Sequence, residues 1–150
     1  MHKVIMSGGD NYSGEWRSWS LSYPVEITDG GRSTSKRPRQ SNDCTVRAIA
    51  IAMGLDYDDA YDWLAAEGRE SWSRFNIDEF LKDRGARKIS FPAVKGKPRM
   101  NPATFCKEFP KGRYICNVAK HVFAVVDGVV HDAFENRPNR CIYTAYEISA

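Results

Sequence analysis

Cys44, His121 and Asp132 are the residues of this sequence whose types and order best suit chemistry. A thiol becomes a strong nucleophile when a histidine takes its proton, and a carboxylate bonded to the same imidazole holds the required tautomer. Such a triad attacks a carbonyl carbon. Each residue also has an ordinary structural alternative. Cys44 could be a small core residue, His121 a structural histidine whose hydrogen bonds are made within the sheet, and Asp132 the partner of an Arg or Lys. The triad hypothesis therefore depends on the elements that carry them.

Residues 44–54 are predicted to form a short apolar helix with Cys44 in its first turn. Asn42 or Asp43 suits the N-cap, and Gly54 suits the position just past the helix end. Free backbone N–H groups and the positive end of the helix dipole favour a thiolate in that first turn. Because the helix has little polar surface, we expect it to be buried at the centre of the domain.

A β-hairpin is predicted near the C-terminus. Two runs rich in β-branched and apolar residues, 121–126 and 129–134, flank the dipeptide Asp127-Gly128, a strong signal for a two-residue turn. With these two residues as the loop, Val126 pairs with Val129, and the register of the whole hairpin is fixed.

That register selects one His–Asp pair. It places His121 and Asp132 on the same face as diagonal neighbours, with backbones about 7–8 Å apart, which an imidazole and a carboxylate can bridge. His131 falls on the opposite face, and Asp127 lies at the tip of the turn. The hairpin therefore predicts that His121 and Asp132 are partners and excludes His131 and Asp127 from this pair.

The rest of the chain predicts an α+β fold in one domain. Further helices are expected at 56–68, 76–85 and 104–109, and extended segments at 19–27, 86–94, 113–118 and 141–148. Helices precede most strands, so we expect a helical half, with the Cys-bearing helix at its centre, packed on a C-terminal antiparallel sheet. Residues 1–39 form a poorly defined N-terminal strand or arm region, and residues 40–150 form the catalytic core.

Bulk composition excludes several classes of protein. The 150 residues are 42% hydrophobic and 27% charged with a net charge of +3, which is ordinary for a globular domain. No apolar run approaches the ~20 residues of a membrane span, and the N-terminus lacks the apolar region of a signal peptide. We therefore expect a cytoplasmic protein with four free cysteines and no cofactor. A zinc site from Cys44, Cys116, Cys141 and His121 is a weaker alternative, because their spacing matches no usual ligand pair.

The basic, Ser/Pro-rich segment 32–39 is predicted to be a solvated arm, with phosphate binding as the alternative. With the aromatic residues Trp16, Trp19 and Tyr23 it would suit a nucleic acid, although the small net charge argues against that. The acidic cluster at residues 56, 58, 59 and 62 begins a helix, so we interpret it as complementing the helix dipole rather than binding a metal.

An oxyanion hole would use the backbone N–H of Cys44, a donor at a helix start, and an upstream side-chain amide. Gln40 is the first candidate for that amide and Asn42 the second.

The order of these residues resembles the papain-like cysteine peptidase superfamily, whose members place Gln upstream, Cys at the start of a central helix, and His then Asp or Asn on the following sheet. Segment 40–44 is similar to the Gln…Asp-Cys segments of bacteriocin-processing and ubiquitin-like-protein-processing peptidases. Segment 42–48, with 120–132, also looks like small bacteriophage proteins of this type. The resemblance covers residues 40–54 and 112–134.

The resemblance implies a papain-like fold and a thiol hydrolase or acyl transferase that acts on a peptide, isopeptide or amide bond of a protein or peptide substrate. Cys44 would be the nucleophile, His121 the general base and then acid, and Asp132 the residue that orients His121. A phage-encoded protein would act in the host cytoplasm. The alternatives are a catalytically inactive papain-like binding module, such as a phage inhibitor of a host protein, and, less favoured, a nucleic-acid-binding protein.

Overall fold

The computed structural model describes residues 3–4 and 22–149 of the chain. They form four α-helices and one seven-stranded sheet. The helices are α1 (Cys44–Met53), α2 (Tyr57–Ala66), α3 (Ile77–Asp83) and α4 (Pro102–Glu108). The strands are β1 (Lys3–Val4), β2 (Pro24–Ile27), β3 (Arg87–Ser90), β4 (Arg113–Val118), β5 (His121–Val126), β6 (Val129–Asp132) and β7 (Thr144–Ile148). None of the described helices is long and apolar enough to cross a bilayer.

The sheet is mixed, with strand order β1-β2-β6-β5-β4-β7-β3. Neighbouring strands from β6 to β3 are antiparallel, as the sequence predicts for the C-terminal half. β2 adds a parallel pair, in which Ile27 lies opposite Asp132. The four helices and this mixed sheet are compatible with the predicted α+β class. The N-terminal region, predicted only as a loose strand or arm, contributes two strands, β1 and β2, to this sheet.

Helices cover both faces of the sheet. α1 packs its buried residues, such as Val46 and Ile49, against Val122 and Ala124 of β5. α4 covers the other face, where Phe105 joins the alternate residues of the central strands in a second core. The central strands are therefore apolar on both sides. This explains the nearly continuous apolar run of β5.

The hairpin has the predicted register, with Val126 opposite Val129 and Ala124 opposite His131. β6 is shorter than predicted and ends at Asp132, because the carboxylate of this residue accepts the N–H of Ala133 at 2.7 Å. That bond turns the chain out of the sheet.

Helix ends follow local chemistry. α1 ends at Gly54, whose left-handed backbone (φ 67°) closes the last turn as predicted. α4 begins two residues before the predicted start, because the side chain of Asn101 caps it by accepting the N–H of Thr104 at 2.8 Å. β7 begins at Thr144, three residues later than predicted. Of the predicted strand 19–27, Pro24–Ile27 is β2; Trp16 and Trp19 lie outside the described residues.

Two arginines of the basic segment 32–39 contact the domain, whereas five of its eight residues are exposed, so the prediction of a solvated arm holds only in part. The Arg37 guanidinium donates to Asp58 at 2.7 Å and to Asp62 at 2.9 Å, and stacks 3.9 Å from the centre of the Tyr61 ring. Arg32 pairs with Asp43 at 3.0 Å. Acidic residues of α2 thus neutralise part of the basic segment, in addition to lying at the start of a helix.

Candidate functional site

Cys44 is the first residue of α1 and is half-buried. The N-cap is Asp43, but its side chain makes no capping hydrogen bond. This carboxylate is buried beneath the helix instead, so the first-turn N–H groups receive no side-chain cap from it. The nucleophile candidate therefore lies beside backbone donors at the positive end of a ten-residue helix.

His121 and Asp132 are in direct contact. The imidazole Nε2 lies 2.7 Å from Oδ2 of Asp132, and the two side chains are 9% and 2% exposed. Since Asp132 occupies Nε2, the Nδ1 atom is the nitrogen left for Cys44, whose thiol interacts with the same imidazole. The hairpin thus brings together the two residues that the register predicts, next to the predicted thiol.

The electrostatics favour a thiolate–imidazolium pair. Burial raises the pKa of Cys44, but hydrogen bonds from His121 and the Val122 backbone N–H, with the positive charges of His121 and Arg47, outweigh it and lower that pKa below its usual 9. Burial lowers the pKa of His121, but the contacts with Asp132 and Cys44 outweigh burial and raise it to about 9. Both shifts move the proton from sulfur to imidazole.

The buried Arg47 links α1 to Asp132. Arg47, one turn after Asp43 in α1, forms an ion pair with it, and its Nη2 atom lies 3.7 Å from Oδ1 of Asp132. Asp43 is 1% exposed and also accepts the Tyr57 hydroxyl at 2.7 Å. Burial and this hydrogen bond raise the pKa of Tyr57, so the phenol remains a donor. Asp43 and Arg47 thereby hold the start of α1 against Asp132.

A second network fixes Asp132 from the other side. The buried Asn136 side chain donates to Oδ2 of Asp132 at 2.8 Å and accepts from Arg140 at 2.9 Å. Arg140 also donates to the carbonyl of Ala119, two residues before His121, at 2.7 Å. These bonds close a ring from the imidazole through Asp132, Asn136 and Arg140 back to the chain that carries His121.

The residues on either side of β2 support Asp132 and the loop that follows it. The N–H of Thr28 donates to the carbonyl of Asp132 at 2.8 Å, at the end of the parallel β2–β6 pair. The Tyr23 hydroxyl donates to the carbonyl of Asn136. The segment before the basic loop therefore supports Asp132 and the loop after it.

A cleft of about 970 Å³ opens over Cys44 and His121. Its walls are the start of α1, residues 69 and 72–78, and residues 117–122, which span the β4–β5 turn. Tyr143 and the largely exposed Trp72 also line it.

The two predicted oxyanion residues occupy different places. Asn42 lines the cleft, where its amide donates to the carbonyl of Ser71 at 2.8 Å. Gln40 lines a separate depression formed by residues 36–41, and its amide donates to the carbonyl of Ser41 at 2.9 Å. The structure therefore does not bring Gln40 to Cys44, because the chain turns between them at Asn42, whose backbone is left-handed (φ 52°).

Comparison of the chain with protein-family models, curated proteins and solved structures gives no match.

The other cysteines differ from Cys44. Burial raises the pKa of Cys106 to about 12 and that of Cys116 well above its usual value. Within residues 3–4 and 22–149, no group of three His, Cys, Asp or Glu side chains is arranged to hold a metal ion, so the zinc alternative gains no support. Cys44 is the described cysteine with a lowered pKa and a histidine partner.

Sequence reasoning missed Arg47, Asn136 and Arg140. Arg47 had a signal, because it is the one charged residue of an otherwise apolar helix and follows Asp43 by four positions. Asn136 and Arg140 lie in a loop, where polar residues are common and no periodicity marks a buried one.

Proposed function

We propose that this protein is a thiol hydrolase with a Cys44–His121–Asp132 triad. The observation that carries the proposal is the 2.7 Å contact between His121 Nε2 and Asp132, on an imidazole that also contacts a half-buried thiol at a helix start. Such a base, itself held by a third group, is the arrangement that activates a nucleophile. The resemblance to papain-like peptidases points to the same three residues and to a papain-like fold.

The proposed reaction has two stages, formation of a thioester and its hydrolysis. The Cys44 thiolate attacks the carbonyl carbon of a peptide, isopeptide or amide bond, and the carbonyl oxygen becomes an oxyanion. The imidazolium of His121 then gives its proton to the leaving amine as the C–N bond breaks, which leaves a thioester. Neutral His121 next takes a proton from water, whose oxygen attacks the thioester, and the carboxylic acid leaves as the thiolate and imidazolium are restored. An amine in place of water would make the same intermediate an acyl transferase.

The proposal assigns two groups to stabilise the oxyanion. One is the backbone N–H of Cys44 in the first turn of α1, and the other is the side chain of Asn42 in the cleft. One amide hydrogen of Asn42 bonds Ser71, which leaves the second for a substrate oxygen.

Asp132 orients His121 and stabilises the imidazolium. Its carboxylate accepts hydrogen bonds from the imidazole, Asn136 and the backbone of Ala133. These hydrogen bonds fix the carboxylate in the orientation that holds the imidazole.

The nucleic-acid alternative has less support than the sequence suggested, because Arg32 and Arg37 are already paired with acids. The inactive binding module predicts an ordinary thiol at Cys44, and a single experiment separates it from the hydrolase.

The test is the pH–rate profile of iodoacetamide alkylation, with each modified cysteine located by mass spectrometry. We expect Cys44 alone to react rapidly, with an apparent pKa below ~8.5 that rises in His121→Ala. His131→Ala is the matched control, because its histidine lies in the same hairpin outside the cleft lining and is expected to leave the profile unchanged. A Cys44 that reacts no faster than the buried thiols would refute the proposal.

A further inference from the structure

The Cys44 cleft is lined by more positive than negative charge. Arg69, Arg74 and Lys120 line it, whereas Asp78 is the carboxylate that does so. Asp78 is already satisfied: Lys88 lies 2.8 Å from one oxygen, Lys82 lies 3.6 Å from the other, and the Tyr146 hydroxyl donates to it at 2.6 Å. Its negative charge is therefore already neutralised by Lys82 and Lys88.

Arg69 is the most informative of these cations, because it is only 7% exposed. Its guanidinium donates to the carbonyl of Asn42 at 2.9 Å and lies 5.4 Å from the centre of the Tyr61 ring. Across residues 22–149, no carboxylate lies within ion-pair distance of Arg69. Buried charges in proteins are normally paired, so a cation of this kind beside a cleft favours an anionic ligand.

Arg74 and Lys120 add exposed positive charge on two walls of the cleft. Neither forms an ion pair with any residue of the described chain. Lys120 directly precedes His121 in the β4–β5 turn, and Arg74 lies in the wall formed by residues 69 and 72–78. Positive charge thus lies on two sides of the reactive pair, where it attracts anions to the cleft.

The cleft suits a peptide better than a nucleic acid. A phosphate backbone is held by many cations along its length, and in the 32–39 segment Arg32 and Arg37 are already paired with acids. At about 970 Å³, the cleft is at the upper end of the range for ligand sites and has room for several residues of an extended chain. Trp72 and Tyr143, 78% and 41% exposed, offer apolar contact beside the charges.

We propose that the Cys44 cleft takes an acidic peptide segment, in which Asp or Glu side chains next to the reactive carbonyl pair with Arg69, Arg74 and Lys120. This inference rests on the proposed function and names its substrate class. The substrate carboxylates supply the counter-ions that the described chain does not give to these three side chains.

The test measures binding separately from chemistry. Cys44→Ala is titrated into fluorescent peptides of matched sequence that carry either two Glu or two Gln residues, and anisotropy gives each Kd. We expect the Glu peptide to bind at least tenfold more tightly at low salt, with the preference shrinking as salt screens the charges. Arg74→Gln and Lys120→Gln in this background are each expected to reduce the preference about fivefold. Lys97→Gln is the matched control, because Lys97 is exposed and lies outside the cleft lining.

Equal binding of the Glu and Gln peptides would overturn the inference, as would tighter binding of a single-stranded oligonucleotide of the same charge. The alkylation profile of the unmodified protein reports separately on the hydrolase. A Glu preference with an ordinary Cys44 thiol would uphold the acidic-peptide cleft and refute only the enzyme. A low-pKa Cys44 without a Glu preference would do the reverse.

Discussion

The Nη2 atom of Arg47 lies 3.7 Å from Oδ1 of Asp132. One of these residues lies in the helix that carries the candidate nucleophile, and the other ends the strand beside the candidate base. Because Arg47 also pairs with Asp43 at the helix start, its position fixes how α1 meets the sheet. Cys44 and His121 approach each other at that junction.

Arg47→Met is therefore expected to destabilise the fold and to change the thiol. Removing one member of a buried ion pair typically costs about 3–5 kcal/mol. The pKa of Cys44 should rise as well, because the Arg47 charge helps to lower it. Urea unfolding and the alkylation profile measure the two effects. Arg47→Lys keeps the charge, so its unfolding free energy should fall less and the pKa of Cys44 should rise less. An unfolding free energy unchanged in Arg47→Met would contradict this role.

Asp132→Asn is expected to lower the pKa of His121 below its value of about 9 and to raise that of Cys44. The asparagine oxygen can still face His121 and Asn136, but its NH2 group then meets the N–H of Ala133. A rise of one unit in the Cys44 pKa would slow alkylation at pH 6 about tenfold.

The matched control for Asp132→Asn is Asp127→Asn. Asp127 lies in the same hairpin, but its carboxylate accepts the N–H of Gly112 at 2.9 Å, at the turn end of the hairpin. We expect its alkylation profile to equal that of the wild type. If Asp127→Asn slowed the reaction as much as Asp132→Asn did, His121 would not depend on Asp132 specifically.

The raised pKa of His121 predicts how stability varies with pH. The pKa of His121 is near 6.5 in the unfolded chain and about 9 in the folded protein. The imidazole therefore binds its proton more tightly in the folded state. Its stabilisation, up to about 3 kcal/mol, is full below pH ~6.5 and is lost as pH rises through about 9. The difference in unfolding free energy between wild type and His121→Gln, measured from pH 5 to 10, should fall across this window. A flat difference would show that His121 is not held as a cation.

Asn42→Ala and Gln40→Ala separate the two oxyanion candidates. Removing one oxyanion donor costs roughly 10²–10³ in kcat, and only Asn42 lines the cleft. With an amide substrate found by screening acidic peptides, we expect that loss in kcat for Asn42→Ala and near wild-type activity for Gln40→Ala. The reverse result would mean that Gln40 moves into the cleft when substrate binds.

Asn136→Ala tests the ring that holds Asp132. The substitution leaves Asp132 and Arg140 each without one hydrogen bond, so we expect a loss of about 1–3 kcal/mol in unfolding free energy and slower alkylation of Cys44. Asn139→Ala, three residues away and exposed, is the control and should change stability by less than about 0.5 kcal/mol. Equal stability of the two variants would contradict a stabilising role for the hydrogen bonds that link Asp132, Asn136 and Arg140.

The sequence was sufficient where short-range rules apply. The Asp127-Gly128 turn fixes the register of β5 and β6, and this register alone separates His121 from His131. The N-cap candidates Asn42 and Asp43 likewise place Cys44 in the first turn of α1, and Gly54 marks the end of that helix.

Long-range contacts were beyond those rules. Nothing local shows that Pro24–Ile27 pairs in parallel with β6, because parallel pairing joins segments far apart in the chain. The same holds for Arg37, whose charge suggests exposure until its contacts with α2 are known. Asn136 is a third case, since the burial of a loop side chain depends on the chain packed over it.

The parallel pairing of β2 with β6 also sets an order of events during synthesis. Residues 24–27 and Cys44 leave the ribosome early, whereas His121 and Asp132 lie beyond residue 120 of 150. Until those residues are added and the sheet closes, Cys44 lacks its contact with His121, so we expect the reactivity of an ordinary cysteine. We therefore expect the lowered pKa only in the finished fold, and rapid labelling of Cys44 at mildly acidic pH would then count correctly folded molecules.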